Sequence, residues 1–225
     1  MFERTTTLLG NEVLDRLKNC HILLIGLGGV GGYTLECLIR SGVGHVTVID
    51  CDVFEESNLN RQILATRDSI GNSKVLEGVK RAKLIYPDID IQGIDERLDE
   101  KSVFKMDFDK FDYVIDACDT VSVKVALMKV FKGSKKLISC MGTANRILGD
   151  FQVVKIQDTY NDPLAKRIRS ELKDDKKCFN SRVLWSRTLP LKRAQLGSLC
   201  PVVMEAGAKL ASYVILDIEK EVNGR

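Results

Sequence analysis

Residues 22–32 read Ile-Leu-Leu-Ile-Gly-Leu-Gly-Gly-Val-Gly-Gly and decide the fold of this chain. A short apolar run gives way to glycines at the spacing Gly-x-Gly-x-x-Gly, formed by Gly26, Gly28 and Gly31. Glycines at this spacing permit a tight turn, let the backbone approach a phosphate and let a helix pack closely on the strand. The stretch therefore predicts a strand, a nucleotide-binding turn that also includes Gly29, and a helix.

Strand-like and helix-like segments alternate on both sides of this stretch. The pattern predicts strands over 21–25, 46–49, 89–94, 113–117 and 137–140, and helices over 11–18, 33–40, 73–86 and 121–132. Such alternation is typical of a Rossmann-like α/β fold, in which a mostly parallel sheet carries helices on both faces.

The pattern changes after about residue 145. The segments predicted there are strands over 151–156 and 182–185, a charged helix over 163–173 and an apolar C-terminal helix over 201–218. Residues 174–200 carry the weakest pattern, which favours a mobile loop. We expect one domain over 1–225, with a nucleotide-binding core over 1–145 and a substrate-facing extension over 146–225.

Charge is distributed unevenly along the chain. The net charge of +3 over 225 residues does not by itself indicate a nucleic-acid-binding protein. Residues 155–193, however, hold 11 Lys and Arg against five acids, so this segment is +6 and the rest of the chain is −3. Both a solvated surface and a polyanion-binding surface fit this distribution.

The cysteines and the apolar runs exclude several classes of protein. Seven cysteines occur, none in a Cys-x-x-Cys pair, which argues against a disulfide framework and a zinc ribbon. The N-terminal sequence does not resemble a signal peptide, and the longest apolar run is too short for a membrane span. We therefore expect a cytoplasmic protein that makes no membrane contact.

An acidic residue follows the second predicted strand. Asp50 lies 24 positions after Gly26, where a carboxylate can accept hydrogen bonds from ribose hydroxyls. An NAD-dependent dehydrogenase would also have these features. The chain offers it only His21 and His45 as histidine acid–base groups, and both lie at strand starts, where a structural role is favoured.

Polar residues after the second and fourth strands indicate a triphosphate instead. They are Asp52, Asn58, Asn60, Arg61, Gln62, Lys74 and Asp119. The carboxyl ends of parallel strands meet at one edge of a sheet, so these residues are expected there together. Cationic side chains suit phosphates, and a carboxylate suits Mg²⁺. Two plainer explanations are solvent exposure of Arg61 and Lys74, and capping of the 121–132 helix by Asp119.

This combination resembles the ATP site of the ubiquitin-activating-enzyme-like superfamily, which includes the ThiF-type adenylating enzymes. The resemblance implies that Asp50 holds the ribose of ATP and that Asn58 helps to hold the phosphates. It also implies that Arg61 and Lys74 neutralise the β- and γ-phosphates and that Asp119 places Mg²⁺. The predicted catalytic residues are Arg61, Lys74 and Asp119, and Asp52 and Gln62 complete the predicted ATP-binding set.

The later part of the chain resembles one branch of that superfamily, the tRNA threonylcarbamoyladenosine dehydratases, through residues 158–173, 183–186 and 196–207. Members of this branch adenylate the threonine carboxylate of a modified adenosine next to the tRNA anticodon, and the side chain then closes to a cyclic form with loss of water. The resemblance implies a homodimer, a tRNA partner and a possible sulfur-relay protein partner. The candidate tRNA contacts are Lys166, Arg167, Arg169, Lys173 and Arg182. In relatives an N-terminal arginine reaches the neighbouring subunit's ATP, and Arg4 is the candidate here.

Two other functions stand beside this one. A sulfur-carrier adenylyltransferase would activate the C-terminal Gly-Gly of a ubiquitin-like protein and use a functional cysteine, for which Cys178 and Cys200 are the candidates. A nucleotide-sensing or NAD-binding module would bind its ligand without releasing pyrophosphate.

Overall fold

The computed structural model describes residues 1–224, which form one seven-stranded sheet flanked by helices. The strands are β1 (His21–Ile25), β2 (His45–Asp50), β3 (Asp90–Asp95), β4 (Tyr113–Asp116), β5 (Leu137–Cys140), β6 (Phe151–Lys155) and β7 (Arg182–Ser186). The α-helices are α1 (Glu3–Leu9), α2 (Asn11–Lys18), α3 (Gly29–Ser41), α4 (Lys74–Ile85), α5 (Glu100–Lys105), α6 (Val121–Phe131), α7 (Pro163–Glu171) and α8 (Cys200–Asn223).

The strand order is β3-β2-β1-β4-β5-β7-β6. All neighbouring strands are parallel except β6 and β7, which pair antiparallel. The predicted Rossmann-like, mostly parallel α/β fold is therefore confirmed.

The central strands are buried on both faces, as their continuous apolar runs predict. Ile22 and Leu24 of β1 pack with α3, α4 and α8 on one face of the sheet, whereas Leu23 and Ile25 pack with α6 and α7 on the other. Helices on both faces leave only the strand ends open to solvent and ligands.

The part beyond residue 145 extends this same sheet. β7 lies between β5 and β6, and α8 returns to pack along α3. The strand predicted over 182–185 is an interior strand, so the expectation of a mobile loop over 174–200 is wrong for that part. Within the predicted loop, residues 187–199 are the long segment that has neither helix nor strand.

Several other boundaries differ from the predicted ones. α3 begins at Gly29 rather than at residue 33, because the later glycines of the motif adopt helical backbone instead of continuing the turn. The pattern did not predict α1, which buries none of its side chains, or α5, which has six residues. Within residues 1–224, no helix has the length and apolar character needed to cross a membrane.

Candidate active site

The carboxyl ends of four strands open into one cleft of about 1730 Å³. Its floor includes Ile25, Asp50, Ala117 and Cys140, which lie at or directly after the ends of β1, β2, β4 and β5. Ligands of open α/β sheets bind at this edge. The volume exceeds the roughly 300–1000 Å³ typical of small-molecule sites, so the cleft has room for a second substrate beside a nucleotide.

The glycine-rich turn forms one wall of the cleft. Gly26 has a φ of 92°, and a side chain there would lie 2.9 Å from the backbone of Ala117. A side chain on Gly31 would lie 1.8 Å from the Gly26 carbonyl oxygen. Gly28 has open space at its Cβ position and precedes α3 without a side-chain cap, and Gly29 begins the helix. Because the first amides of a helix lack intrahelical partners, this end of α3 offers N–H groups to an anion.

Asp50 joins this turn to the end of β2. Its Oδ2 accepts a hydrogen bond of 2.6 Å from the Leu27 amide, and its Oδ1 accepts one of 2.9 Å from the Asp52 amide. Two backbone donors therefore hold the carboxylate in one orientation. Each oxygen retains acceptor capacity for a ribose hydroxyl.

Lys74 lies in the opposite wall, at the start of α4. Ser73 caps this helix by accepting from the Leu76 amide. The Lys74 ammonium donates to Asp52 Oδ2 at 2.9 Å, and only 7% of its side chain is exposed. The plainer explanation, that Lys74 is a solvent-exposed surface lysine, is therefore wrong. Its hydrogen bond is the main reason that the pKa of Asp52 lies below the ordinary value.

The Ser57–Gln62 segment folds into a tight turn beside Lys74. Asn58 is buried, and its Oδ1 accepts from the Glu55 amide at 3.2 Å, so it holds the turn together. The Arg61 guanidinium donates to the Ser57 carbonyl at 2.7 Å and to Asn60 Oδ1 at 2.9 Å. Gln62 is also buried, and within the described part of the chain its Oε1 has no hydrogen-bond partner.

The loop after β4 carries two aspartates with different surroundings. Asp116 is fully buried and pairs with Lys124, whereas Asp119 is exposed and lines the cleft. Thr120 occupies the N-cap of α6 and makes no side-chain cap bond, so Asp119 does not cap that helix. Among residues 1–224 the Asp119 carboxylate has neither a hydrogen-bond nor an ion-pair partner. Its oxygens are therefore available to a ligand that enters the cleft.

The structure thus brings nearly all the predicted ATP-binding residues into one lining; Gly31 lies behind the turn. The candidate tRNA contacts are more scattered. Lys166, Arg167 and Lys173 are exposed on or just after α7. Arg169 is half-buried and donates to Thr159 Oγ1. Arg182 is the first residue of β7 and therefore lies at the amino ends of the parallel strands, away from the cleft. Arg4 is exposed on α1 and is not part of the cleft lining.

Sequence reasoning missed a group of cleft residues beyond residue 140: Asn145, Arg146, Lys192 and Arg193. Arg146 is buried, donates to the Gly142 carbonyl at 3.0 Å and lies 3.6 Å from Asp162. Burial lowers the pKa of the Arg146 guanidinium. The sequence signal was limited to the basic character of the 155–193 segment, which contains Lys192 and Arg193 but neither Asn145 nor Arg146.

The two candidate functional cysteines differ in accessibility. Cys178 is fully buried, donates to the Met128 carbonyl, and burial raises the pKa of its thiol to about 11. A buried neutral thiol of this kind is a poor nucleophile. Cys200 is half-buried at the start of α8, and its Sγ lies 3.0 Å from the Tyr33 hydroxyl.

Comparison with known proteins gives a consistent result. The model of the ThiF family matches residues 2–219. The tRNA threonylcarbamoyladenosine dehydratase of Bacillus subtilis is 36% identical over 243 aligned positions, which cover 98% of this chain and 95% of that protein. The crystal structure of the Escherichia coli enzyme of the same name in complex with ATP superposes with a TM-score of 0.93 at 29% identity and covers 100% of this chain and 96% of its own.

A relative with another activity matches less of the chain. The sulfur carrier protein adenylyltransferase of Thermus thermophilus is 34% identical over 111 residues, which cover 49% of this chain and 41% of that protein.

Proposed function

This chain belongs to the ThiF family, and from that premise we propose that it is an ATP-dependent tRNA threonylcarbamoyladenosine dehydratase. The observation that carries the proposal is the near-complete match to dehydratases, extending through the region after residue 145. The sulfur-carrier adenylyltransferase matches about half of the chain. The burial of Cys178 further disfavours that alternative.

The proposed reaction joins two substrates in the cleft. A carboxylate oxygen of the threonyl group attacks the α-phosphorus of ATP, and the bond from that phosphorus to the β-phosphate oxygen breaks. Pyrophosphate leaves, and an acyl-adenylate forms on the RNA. A nucleophilic atom of the same side chain then attacks the activated carbonyl carbon and AMP leaves, so the side chain has lost one water in total.

The protein's task in this chemistry is placement and neutralisation of charge. A carboxylate is already ionised at neutral pH, so the first step needs no general base. The amides at the start of α3 bind phosphate oxygens, and Asp50 accepts from the ribose. Arg61 and Lys74 stabilise the negative charge that grows on the leaving pyrophosphate.

Mg²⁺ fits the donor set at the end of β4. Asp119 offers an exposed carboxylate that has no partner among residues 1–224, and carboxylate oxygen is the ligand that Mg²⁺ prefers. When bound there, the ion would neutralise phosphate charge. A single adenylating domain over 1–225, a homodimer, a sulfur-relay partner, the role of Arg4 and a cytoplasmic location stay predictions.

Nucleoside mass spectrometry tests the proposal directly. The purified protein is incubated with ATP, Mg²⁺ and tRNA that carries threonylcarbamoyladenosine, beside reactions without ATP and with Arg61→Ala. We expect ATP-dependent loss of one water from that nucleoside in the wild-type reaction and none in the two controls. No loss of water, with pyrophosphate released only when a Gly-Gly-tailed carrier protein is added, would overturn the proposal in favour of sulfur-carrier activation.

A further inference from the structure

A short loop in the wall of the cleft closes on a single residue, Asn145. The Leu191 amide donates to the Asn145 carbonyl at 2.6 Å, and the Asn145 amide donates to the Gly197 carbonyl at 2.8 Å. The Gly197 amide in turn donates to Asn145 Oδ1 at 2.6 Å. Asn145 has a φ of 58°, a conformation that asparagine tolerates better than most residues. We call residues 191–197 the clasp loop.

Two further contacts fix the chain on either side of the clasp loop. On one side, the buried Arg146 guanidinium donates to the carbonyl and hydroxyl oxygens of Thr188. On the other side, Asn60 Nδ2 donates to the Ser198 carbonyl at 3.1 Å. Because Asn60 also accepts from Arg61, one side chain joins the residue that follows the clasp loop to the proposed phosphate-binding arginine.

The clasp loop carries two cations without counter-charges. Lys192 and Arg193 are exposed and line the cleft, and among the described residues neither has a hydrogen-bond or ion-pair partner. Residues 187–199 contain no acidic residue, and their third cation, Arg187, is paired with Asp150 at 2.8 Å. The cations on and after α7, by contrast, are interspersed with Glu171, Asp174 and Asp175.

The clasp loop also carries exposed apolar side chains beside its two cations. Leu191 is 39% exposed and Leu196 is 84% exposed. An unstacked RNA loop presents base faces together with phosphates, so cations and apolar side chains on one loop match its chemistry. The cleft volume of about 1730 Å³ leaves room for one nucleoside beside ATP.

We propose that the clasp loop is the RNA-binding element of the active site. Lys192 and Arg193 bind the phosphates that flank the reacting nucleoside, and Asn145 is the positioning residue that presents them. This inference rests on the proposed function, and it places the main RNA contact in the cleft wall rather than on α7.

Charge removal with matched variants tests the inference. Lys192→Gln/Arg193→Gln is compared with Lys166→Gln/Lys173→Gln on and just after α7, called the α7 variant, and with Lys80→Gln/Lys83→Gln on α4, since each removes two positive charges. Fluorescence anisotropy with fluorescein-labelled tRNA gives the Kd at several salt concentrations. Two lost phosphate contacts lower the slope of log K against log salt by about 1.4–1.8, which is on the order of 30-fold in Kd at about 0.1 M salt. We expect that loss in the clasp-loop variant and less than a twofold change in the α4 variant.

A fourth variant tests the positioning role. Asn145→Gly keeps the backbone conformation available and removes the Oδ1 acceptor. We expect it to weaken tRNA binding several-fold at an unchanged salt slope, because both cations are still present but less well presented. Unchanged affinity would remove Asn145 from the proposal.

Three outcomes would overturn the inference. These are unchanged tRNA affinity in the clasp-loop variant, a larger loss in the α7 variant, and a loss of ATP affinity in the clasp-loop variant equal to its loss of tRNA affinity. The inference and the proposed function fail separately. If the wild-type protein forms no dehydrated nucleoside while the clasp-loop variant still loses tRNA affinity, the RNA-binding assignment stands and the dehydratase proposal falls.

Discussion

Two lysine–aspartate pairs lie in different regions of the molecule, one in the wall of the cleft and one beneath its floor. Lys74 Nζ is 2.9 Å from Asp52, and 55% of the Asp52 side chain is exposed. Lys124 Nζ is 3.0 Å from both carboxylate oxygens of Asp116, and neither side chain has any exposure. The same pair of side chains is thus open to solvent and ligand in one region and closed in the other.

The difference in solvent exposure explains why one pair can take part in ligand binding while the other stabilises the fold. An exposed aspartate can lose its partner at little cost because water solvates it, so Lys74 is able to exchange Asp52 for a phosphate. A buried aspartate without its partner is an uncompensated charge. Asp116 also accepts from the Cys118 amide at 3.2 Å, and Lys124 donates to the Cys140 carbonyl at 2.8 Å. The buried pair therefore holds the ends of β4 and β5 beneath the glycine-rich turn.

The largest effect is expected from a substitution that breaks the buried Lys124–Asp116 pair. Lys124→Met leaves Asp116 charged and unpaired, and we expect a loss of about 3–5 kcal/mol in the free energy of unfolding. Urea denaturation followed by circular dichroism measures it. Lys124→Met/Asp116→Asn removes both charges and keeps an acceptor for the Cys118 amide, so it should recover most of the loss. A loss of less than about 1 kcal/mol in the single variant would show that the pair does not support the floor.

The next largest effect is expected from a substitution that breaks the Lys74–Asp52 pair in the cleft wall. Lys74→Met keeps the buried aliphatic stem and removes the charge. We expect ATP-dependent turnover to fall on the order of 100- to 1000-fold, while the free energy of unfolding changes by less than about 1 kcal/mol. Turnover and urea denaturation on the same preparation give both numbers. Near-normal turnover would mean that Lys74 is a structural lysine like Lys124.

A third prediction concerns the carboxylate that has no lysine partner. Asp119→Asn weakens the proposed Mg²⁺ ligand, and we expect turnover to fall about 100-fold with a higher Mg²⁺ concentration needed for half-maximal rate. Titration of Mg²⁺ at saturating ATP measures both. Asp109→Asn removes an exposed carboxylate elsewhere on the surface and serves as the control. An unaltered Mg²⁺ titration in Asp119→Asn would exclude Asp119 as a ligand.

The smallest expected effect is a difference between the two pairs in how their contribution to stability depends on pH. The hydrogen bond from Lys74 lowers the pKa of Asp52, so this pair stabilises the fold above the ordinary value of 3.8 and its contribution is lost as pH falls through the lowered value. Burial is the largest single influence and lowers the pKa of Lys124, but the charge and hydrogen bond of Asp116 together with the neighbouring Cys118 and Cys140 outweigh burial, so the net pKa is raised. Its contribution is present below the ordinary value of 10.5 and is lost as pH rises through the raised value.

Urea midpoints of the wild type and of matched variants over pH measure these windows. Asp52→Asn should approach the wild type in acid, and Lys124→Met/Asp116→Asn should approach it in alkali. Parallel pH curves for the wild type and both variants would contradict the assignment.

Local sequence predicted the parts of the site that form from neighbouring residues. The Gly26–Gly31 motif, the polar residues of Ser57–Gln62 and the helix that begins near Lys74 each depend on features within a few positions. Asp50 and Asp119 could be placed because the ends of parallel strands meet at one edge.

The rest depended on contacts between distant segments. Arg146 meets Thr188 across 42 positions, and Asn60 meets Ser198 across 138. Lys124 lies among apolar residues in the sequence, and its burial is explained by the position of Asp116 rather than by its own neighbours. Neither periodicity nor composition contains such information.

The position of β7 between β5 and β6 also constrains the order of events during synthesis. β6 leaves the ribosome before the strand that separates it from β5, so β5 has an unpaired edge until residues 182–186 arrive. Such an edge is a template for pairing with another chain. The clasp loop comes after β7 in the chain, so the wall proposed to bind RNA is completed only after β7 has paired with β5. A nascent chain stalled before β7 exposes an unpaired strand edge and lacks that wall.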